Sequence, residues 1–118
     1  MADSILRDKA KEFAKKIVFL CRDMKLERKE SVLINQLLRS ATSVGANLHE
    51  AQYAQGKRDF ISKLEIALKE SNETSYWLKL LLKTNRIDEQ THYHAEKLCG
   101  NIRRLLIASV RTAKEHQK

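Results

Sequence analysis

Proline is absent from this sequence of 118 residues, and glycine occurs only three times. These two residue types interrupt helices most strongly, so long stretches of the chain are free to be helical. Hydrophobic residues make up 42% of the sequence and charged residues 32%, which is typical of a globular domain with a strongly solvated surface. One domain of this size buries roughly two-thirds of the surface of its unfolded chain. We therefore expect a single domain built from a few long helices.

Four segments carry apolar residues at steps of three and four, the spacing of one helix face. They span about residues 4–28, 31–54, 58–84 and 88–115. Ser4, Ser31 and Asp88 are residue types favoured at N-caps, and Gly56 can adopt the positive φ that ends a helix. The intervening turns are short, so neighbouring helices must be antiparallel. The sequence predicts an all-α, up-down-up-down antiparallel four-helix bundle.

The third and fourth predicted helices carry more apolar residues than one buried stripe of a bundle can hold. Monomeric proteins rarely leave large contiguous apolar patches in water. We therefore predict a homo-oligomer. The candidate interface residues are Ile61, Tyr76, Trp77, Leu80 and Ile107.

Positive charge is concentrated on the first and fourth predicted helices, in a chain whose net charge is +8. Side chains seven residues apart lie nearly two turns apart on one helix face. The candidate nucleic-acid-binding residues are Arg7, Lys11, Lys15, Arg22, Lys97, Arg103, Arg104, Arg111 and Lys114. Because these two helices are neighbours in the predicted topology, we expect their cations to merge into one basic surface. Such a surface favours phosphate backbones, and a merely solvated helix face is the alternative.

Catalytic and metal-binding patterns are missing from the sequence. A dinuclear metal site in a helix bundle needs two Glu-x-x-His pairs, and the one pair found is Glu89 with His92. Asn47 and Glu50 are interpreted as a polar contact that fixes helix register. Glu65, Glu70 and Glu73 are interpreted as ion-pair partners rather than catalytic acids. Lys69 is the partner expected for Glu73 on the same helix, and Arg39 or Lys63 is the partner expected across helices. We expect a protein that is not an enzyme and that holds neither metal nor cofactor.

The two cysteines, Cys21 and Cys99, fall on apolar helix faces and lack disulfide or metal spacing. The N-terminal residues lack the apolar region of a signal peptide. No apolar run reaches the roughly 20 residues of a membrane span. We therefore expect a cytoplasmic location without membrane contact.

Two stretches resemble the family of 23S rRNA-intervening-sequence proteins. They are residues 37–51, LLRSATSVGANLHEA, and residues 59–71, DFISKLEIALKES, the latter followed by Glu73-Thr74 and Tyr76-Trp77-Leu78. The resemblance implies a four-helix subunit of a homopentameric barrel without a known active site. Many members are encoded inside insertions in bacterial ribosomal RNA genes. The motif positions of structural role that it implies are Arg39, Asn47, Glu50, Lys69, Glu70 and Glu73.

A related branch of this family comprises accessory variability proteins of diversity-generating retroelements, pentamers that bind a reverse transcriptase and nucleic acid. The first hypothesis is therefore a non-enzymatic homo-oligomeric scaffold that binds RNA or DNA and serves a reverse transcriptase. The alternative is a protein–protein scaffold of the ribosomal-insertion branch that binds no nucleic acid.

Overall fold

A computed structural model describes residues 2–27 and 31–116, with side chains from Ser4 onward. The residues in these two ranges form four helices, which confirms the predicted all-α fold. Their bounds are α1 Ala2–Leu26, α2 Ser31–Gln52, α3 Lys57–Lys83 and α4 Glu89–Glu115. Each helix packs on the next along the chain, and α1 also packs on α4, so the bundle closes. It measures 50 × 22 × 20 Å.

The predicted helix ends needed several corrections. Ser4 is not an N-cap, because α1 already begins at Ala2. The predicted end of the first helix at residue 28 lies outside the described residues. Ser31 is itself the first helical residue of α2, and the residue before it lies outside the described part of the chain. The helix α2 stops at Gln52, where two following amides bond three residues back in a tightened last turn.

A residue with positive φ occurs in the turn between α3 and α4, and not at Gly56 as predicted. Gly56 has φ of −179°, an extended conformation, and it is the N-cap of α3. Asn85, with φ of 61°, follows the end of α3. The Arg86 amide bonds to the Leu81 carbonyl and the Asn85 amide to that of Leu82, which makes this end a Schellman motif. Asparagine tolerates this conformation better than most side chains do.

The start of α4 agrees with the sequence prediction. The Asp88 carboxylate accepts a hydrogen bond of 2.7 Å from the backbone amide of Thr91. An N-cap of this kind satisfies an amide that has no partner inside the helix, and a carboxylate also interacts favourably with the positive end of the helix dipole. The turn 84–88 therefore fixes where α4 begins.

The core consists of one apolar stripe from each helix, as the spacing predicts. The largest fully buried side chains are Leu6, Phe13, Ile17, Met24, Ile34, Leu37, Val44, Leu64, Leu78, Leu81, Ile102 and Leu106. Ile5 is apolar but lies off this stripe and is 50% exposed. At the start of α4, Ala95 is buried and Tyr93 is exposed.

Five small side chains are fully buried in the middle of the bundle, and we call them the small-residue layer. They are Ser40, Ala41, Ala67, Ser71 and Thr74. The Thr74 hydroxyl lies 3.0 Å from the Ser40 hydroxyl across α2 and α3, and 2.8 Å from the Glu70 carbonyl. Small side chains let two helix backbones approach closely. Accordingly, α2 and α3 form the most extensively packed helix pair of the bundle.

Both cysteines are free and buried. Burial raises the pKa of the Cys21 thiol from 9.0 to about 11, and the nearby Lys25 charge opposes this only partly. Burial also raises the pKa of Cys99, whose thiol donates to the Ser71 carbonyl at 3.3 Å. Because the folded state favours the protonated thiol, Cys21 makes the free energy of unfolding fall as the pH rises from about 9 to about 11. Among the described residues, no group of histidine, cysteine or acidic side chains could hold a metal ion, and no helix could cross a membrane.

Alkylation tests the state of Cys21. At pH 9.0 the raised pKa leaves a thiolate fraction roughly fiftyfold lower than that of an unfolded chain, in addition to the steric protection of burial. We expect iodoacetamide to modify Cys21 at least tenfold more slowly in the native protein than in denaturant. Peptide mass spectrometry over time gives the two rates, and equal rates would show that the thiol is accessible.

Gly45 provides a test of packing between α1 and α2. A Cβ built on Gly45 would lie 3.9 Å from both the Cβ and the carbonyl oxygen of Ala10, which is ordinary van der Waals contact. The Gly45→Ala variant should therefore gain about 0.5–1 kcal/mol in free energy of unfolding from helix propensity alone. The control is Gly56→Ala: this residue is the N-cap of α3 and not part of a helix interior, so alanine gains no helix propensity there. A loss of stability in urea unfolding of Gly45→Ala would mean that α1 and α2 pack more closely than described.

Candidate nucleic-acid interface

One exposed strip on α4 combines cationic, aromatic and apolar side chains. Its members recur at steps of three and four residues, which places them on one helix face. The α4 strip comprises Tyr93, Lys97, Gly100, Arg104, Ile107 and Arg111, all of which are exposed except the buried Gly100. Within residues 2–27 and 31–116, Lys97, Arg104 and Arg111 form no ion pair. These three cations therefore keep their full charge at the surface.

Two predicted site residues of α4 instead attach this helix to α3. The guanidinium of Arg103 donates to the Ser75 hydroxyl at 2.8 Å and to the Glu96 carboxylate at 3.2 Å. The ammonium of Lys114 lies 2.9 Å from the Glu65 carboxylate. Their charges are compensated within the chain, so they contribute less to an external partner than the cations of the α4 strip.

The predicted cations of α1 lie on another side of the bundle. Arg7 borders a small crevice with Leu48 of α2 and Phe60 of α3. Lys11 and Lys15 follow Arg7 at steps of four on the same helix face. The lines on α1 and α4 therefore do not merge in the way predicted, because the α1 line turns toward α2. The fourth member, Arg22, approaches Asp23 at 3.6 Å and lies 4.9 Å from the centre of the Phe19 ring.

Two lysines outside the predicted basic lines, Lys9 and Lys16, border the grooves between α1 and α4. Lys16 and Lys97 flank a groove of about 640 Å³ whose floor includes Phe13 and Leu98. Lys9 borders a continuation of this groove. Seven-residue spacing could not reveal Lys9 and Lys16, because a charged line shows which residues share a face but not which neighbouring helix that face approaches.

The candidate interface residues differ widely in exposure. Tyr76 is 60% exposed and Ile107 is 42% exposed, whereas Trp77 and Leu80 are half-buried. The Trp77 indole donates to the Glu73 carboxylate at 3.3 Å. Ile61 is only 6% exposed and belongs to the interior of its own chain, which corrects its assignment to an interface. Exposed Val18 and Phe19 on α1 were not foreseen.

The motif positions form an ion-pair cluster between α2 and α3. The Arg39 guanidinium contacts the carboxylates of both Glu70, at 3.1 Å, and Glu73. Glu70 is thus the ion-pair partner of a neighbouring helix that its interpretation requires. The predicted pair of Lys69 with Glu73 is not formed among the described residues, because Glu73 pairs with Arg39 and Lys69 is exposed.

The predicted register contact of Asn47 and Glu50 is wrong within the described chain. The Asn47 amide donates to the Ser43 carbonyl of its own helix at 2.9 Å, and Glu50 is exposed. A side chain that bonds one turn back in its own helix cannot fix the register of a neighbouring helix.

Comparisons with known proteins agree on one family. The sequence model described as 23S rRNA-intervening sequence protein matches residues 2–108. No curated protein matches the chain. A crystal structure of a protein of unknown function from the S23 ribosomal protein family of Bacteroides thetaiotaomicron shares 46% sequence identity. It superposes with a TM-score of 0.92 over 94% of this chain and 99% of that chain. The chain therefore belongs to the 23S rRNA-intervening sequence protein family.

Proposed function

We propose that the chain is a non-enzymatic scaffold that assembles with copies of itself and binds nucleic acid through the α4 strip. The observation that carries this proposal is the alignment of Lys97, Arg104 and Arg111 on one helix face, where none of them forms an ion pair with another described residue. Such cations release condensed counterions when they meet a phosphate backbone, and this release gives salt-dependent affinity. The compartment proposed with this function is the cytoplasm, which suits two free cysteines.

The contrast among the cations of α4 supports the choice of surface. Arg103 and Lys114 have carboxylate partners, and the ion pair of Lys114 joins α4 to α3. Lys97, Arg104 and Arg111 have none in the described residues, so their desolvation by phosphate breaks no internal ion pair. The α1 cations Lys11 and Lys15 are also exposed and without an ion pair in that part of the chain, but they lie on a different side. This makes them a suitable comparison.

A reverse transcriptase is the protein partner proposed with the scaffold. The proposal of this partner is based on the resemblance to accessory variability proteins, and not on a surface of the structure. Copies of the chain are the other proposed partner. Exposed Tyr76 on α3, beside half-buried Trp77 and Leu80, supports self-association, because it extends an apolar surface into water.

Charge reversal on α4 tests the nucleic-acid surface. In Arg104→Glu/Arg111→Glu, affinity for structured RNA and duplex DNA should fall at least tenfold near 50 mM salt, because about two phosphate contacts are lost. The salt dependence should become shallower for both ligands, since phosphate contacts carry no sequence information.

The matched control is Lys11→Glu/Lys15→Glu, which changes the net charge by the same amount on α1. Mobility-shift titrations at several salt concentrations measure all three proteins. Equal losses in the two variants would show that only net charge matters and would contradict a site on α4. If the unmodified protein shifts neither ligand at low salt, the chain is a protein–protein scaffold instead.

Light scattering tests self-association. At micromolar concentration we expect a multiple of the 13.7 kDa chain mass, with five copies implied by the family resemblance. The Tyr76→Glu variant should shift this mass toward the single chain, because a charge placed on the apolar surface disfavours its burial. The control Tyr53→Glu changes an exposed tyrosine beyond the end of α2 and should leave the mass unchanged. A single-chain mass for the unmodified protein would refute the oligomer.

A further inference from the structure

A depression of about 650 Å³ opens on the surface of α4, around a glycine. Its lining includes Tyr93, Lys97, Gly100 and Arg104 of the α4 strip, together with Arg103, Leu82 of α3 and two acidic residues, Glu89 and Glu96. Gly100 itself is buried, and the guanidinium groups of Arg103 and Arg104 lie next to it. The depression thus lies at the centre of the α4 strip and deepens it.

Two guanidinium groups converge over Gly100. A Cβ built on this residue would lie 3.6 Å from Nη2 of Arg103 and 3.6 Å from Nη1 of Arg104. Both guanidinium groups are cationic, so an anion near Gly100 is attracted by both. The planar guanidinium presents its N–H groups in a geometry that matches phosphate oxygens.

The two arginines differ in how far their charge is already compensated. Arg103 contacts the carboxylate of Glu96, which fixes its position and satisfies much of its charge. Arg104 contacts only the neutral side-chain oxygen of Asn101 in the described residues. Lys97, one turn before Gly100, adds a further cation to the lining. Arg103 therefore acts as a positioning residue, whereas Arg104 and Lys97 have charge available for a ligand.

An aromatic ring stands at the edge of the same depression. Tyr93 is 60% exposed, and the ammonium of Lys97 lies 6.0 Å from the centre of its ring. Tyr93 precedes Gly100 by seven residues, about 10 Å along the helix axis. A base can stack on an exposed ring only if it is not already paired and stacked inside a duplex.

We propose that the Gly100 depression binds single-stranded nucleic acid, with a phosphate held by Arg104 and Lys97 and a neighbouring base stacked on Tyr93. This inference rests on the proposed function and specifies the class of nucleic acid that the α4 strip takes. It predicts that an unpaired strand binds more tightly than a duplex of the same sequence. The preference comes from stacking, because the phosphate contacts are available to both forms.

Fluorescence anisotropy with labelled oligothymidylate and oligouridylate of about 16 nucleotides, and with a duplex of equal length, tests this. In Tyr93→Ala we expect single-strand affinity to fall about fivefold or more and duplex affinity to change less than twofold. The matched control Tyr53→Ala removes another exposed tyrosine outside the strip and should change neither. Arg104→Gln should weaken single-strand binding more than Lys11→Gln, which removes the same charge from α1.

A further variant tests the depression itself. Gly100→Leu places a side chain where the two guanidinium groups converge and should weaken single-strand binding, while circular dichroism verifies that the helices are retained. If Tyr93→Ala binds the single strand within twofold of the unmodified protein while duplex binding remains salt-dependent, the single-strand site is refuted and the proposed function stands. If neither form binds at low salt, both proposals fail.

Discussion

The close packing of α2 against α3 is the constraint on which the rest of the structure depends. Ser40 and Thr74 meet at 3.0 Å in the fully buried small-residue layer. Larger side chains there would force the helices apart, because protein interiors have little free volume. At the surface of the same helix pair, Arg39 joins Glu70 and Glu73. The buried hydroxyls and this ion-pair cluster together fix the register of α3 on α2.

The position of α4 follows from that of α3. The Cys99 thiol bonds to the Ser71 carbonyl, inside the small-residue layer, and Arg103 reaches Ser75 one turn further on. Near the other end of α3, Glu65 pairs with Lys114. These three contacts set the rotation of α4 about its own axis. Arg103 and Lys114 are consequently engaged by α3, whereas Lys97, Arg104 and Arg111 form no ion pair among the described residues. The contacts that fold the chain therefore also determine which cations remain free.

Much of the fold could be predicted from the sequence because apolar spacing alone determines which helix faces are buried. Phe13, Leu37, Leu64 and Ile102 show this for the four helices in turn. The turns were harder to predict, since several residue types can occupy a left-handed position. The glycine at position 56 predicts a left-handed residue in the turn before α3. The left-handed residue is instead Asn85, because the Schellman hydrogen bonds at the end of α3 require this conformation.

The candidate site could be predicted only in part. Spacing correctly aligned Lys97, Arg104 and Arg111, but the direction of the α1 line depended on helix rotation, which tertiary packing decides. The contact of Arg103 with α3 could not be predicted from the sequence either, because its partner Ser75 is 28 residues away. The interface prediction for Ile61 is wrong because the buried stripe of α3 is wide enough to include this residue. The width of a buried stripe depends on the neighbouring helices and cannot be predicted from the sequence of one helix.

Native-state hydrogen exchange tests the primacy of the α2–α3 pair most directly. Amides near Ser40 in α2 and Thr74 in α3 should exchange only through global unfolding, because opening them disrupts the small-residue layer. Amides of α1, which borders open grooves against α4, should exchange faster through partial opening. Amides of α1 that persist longer than those of α2 and α3 would contradict this account of how the bundle is held together.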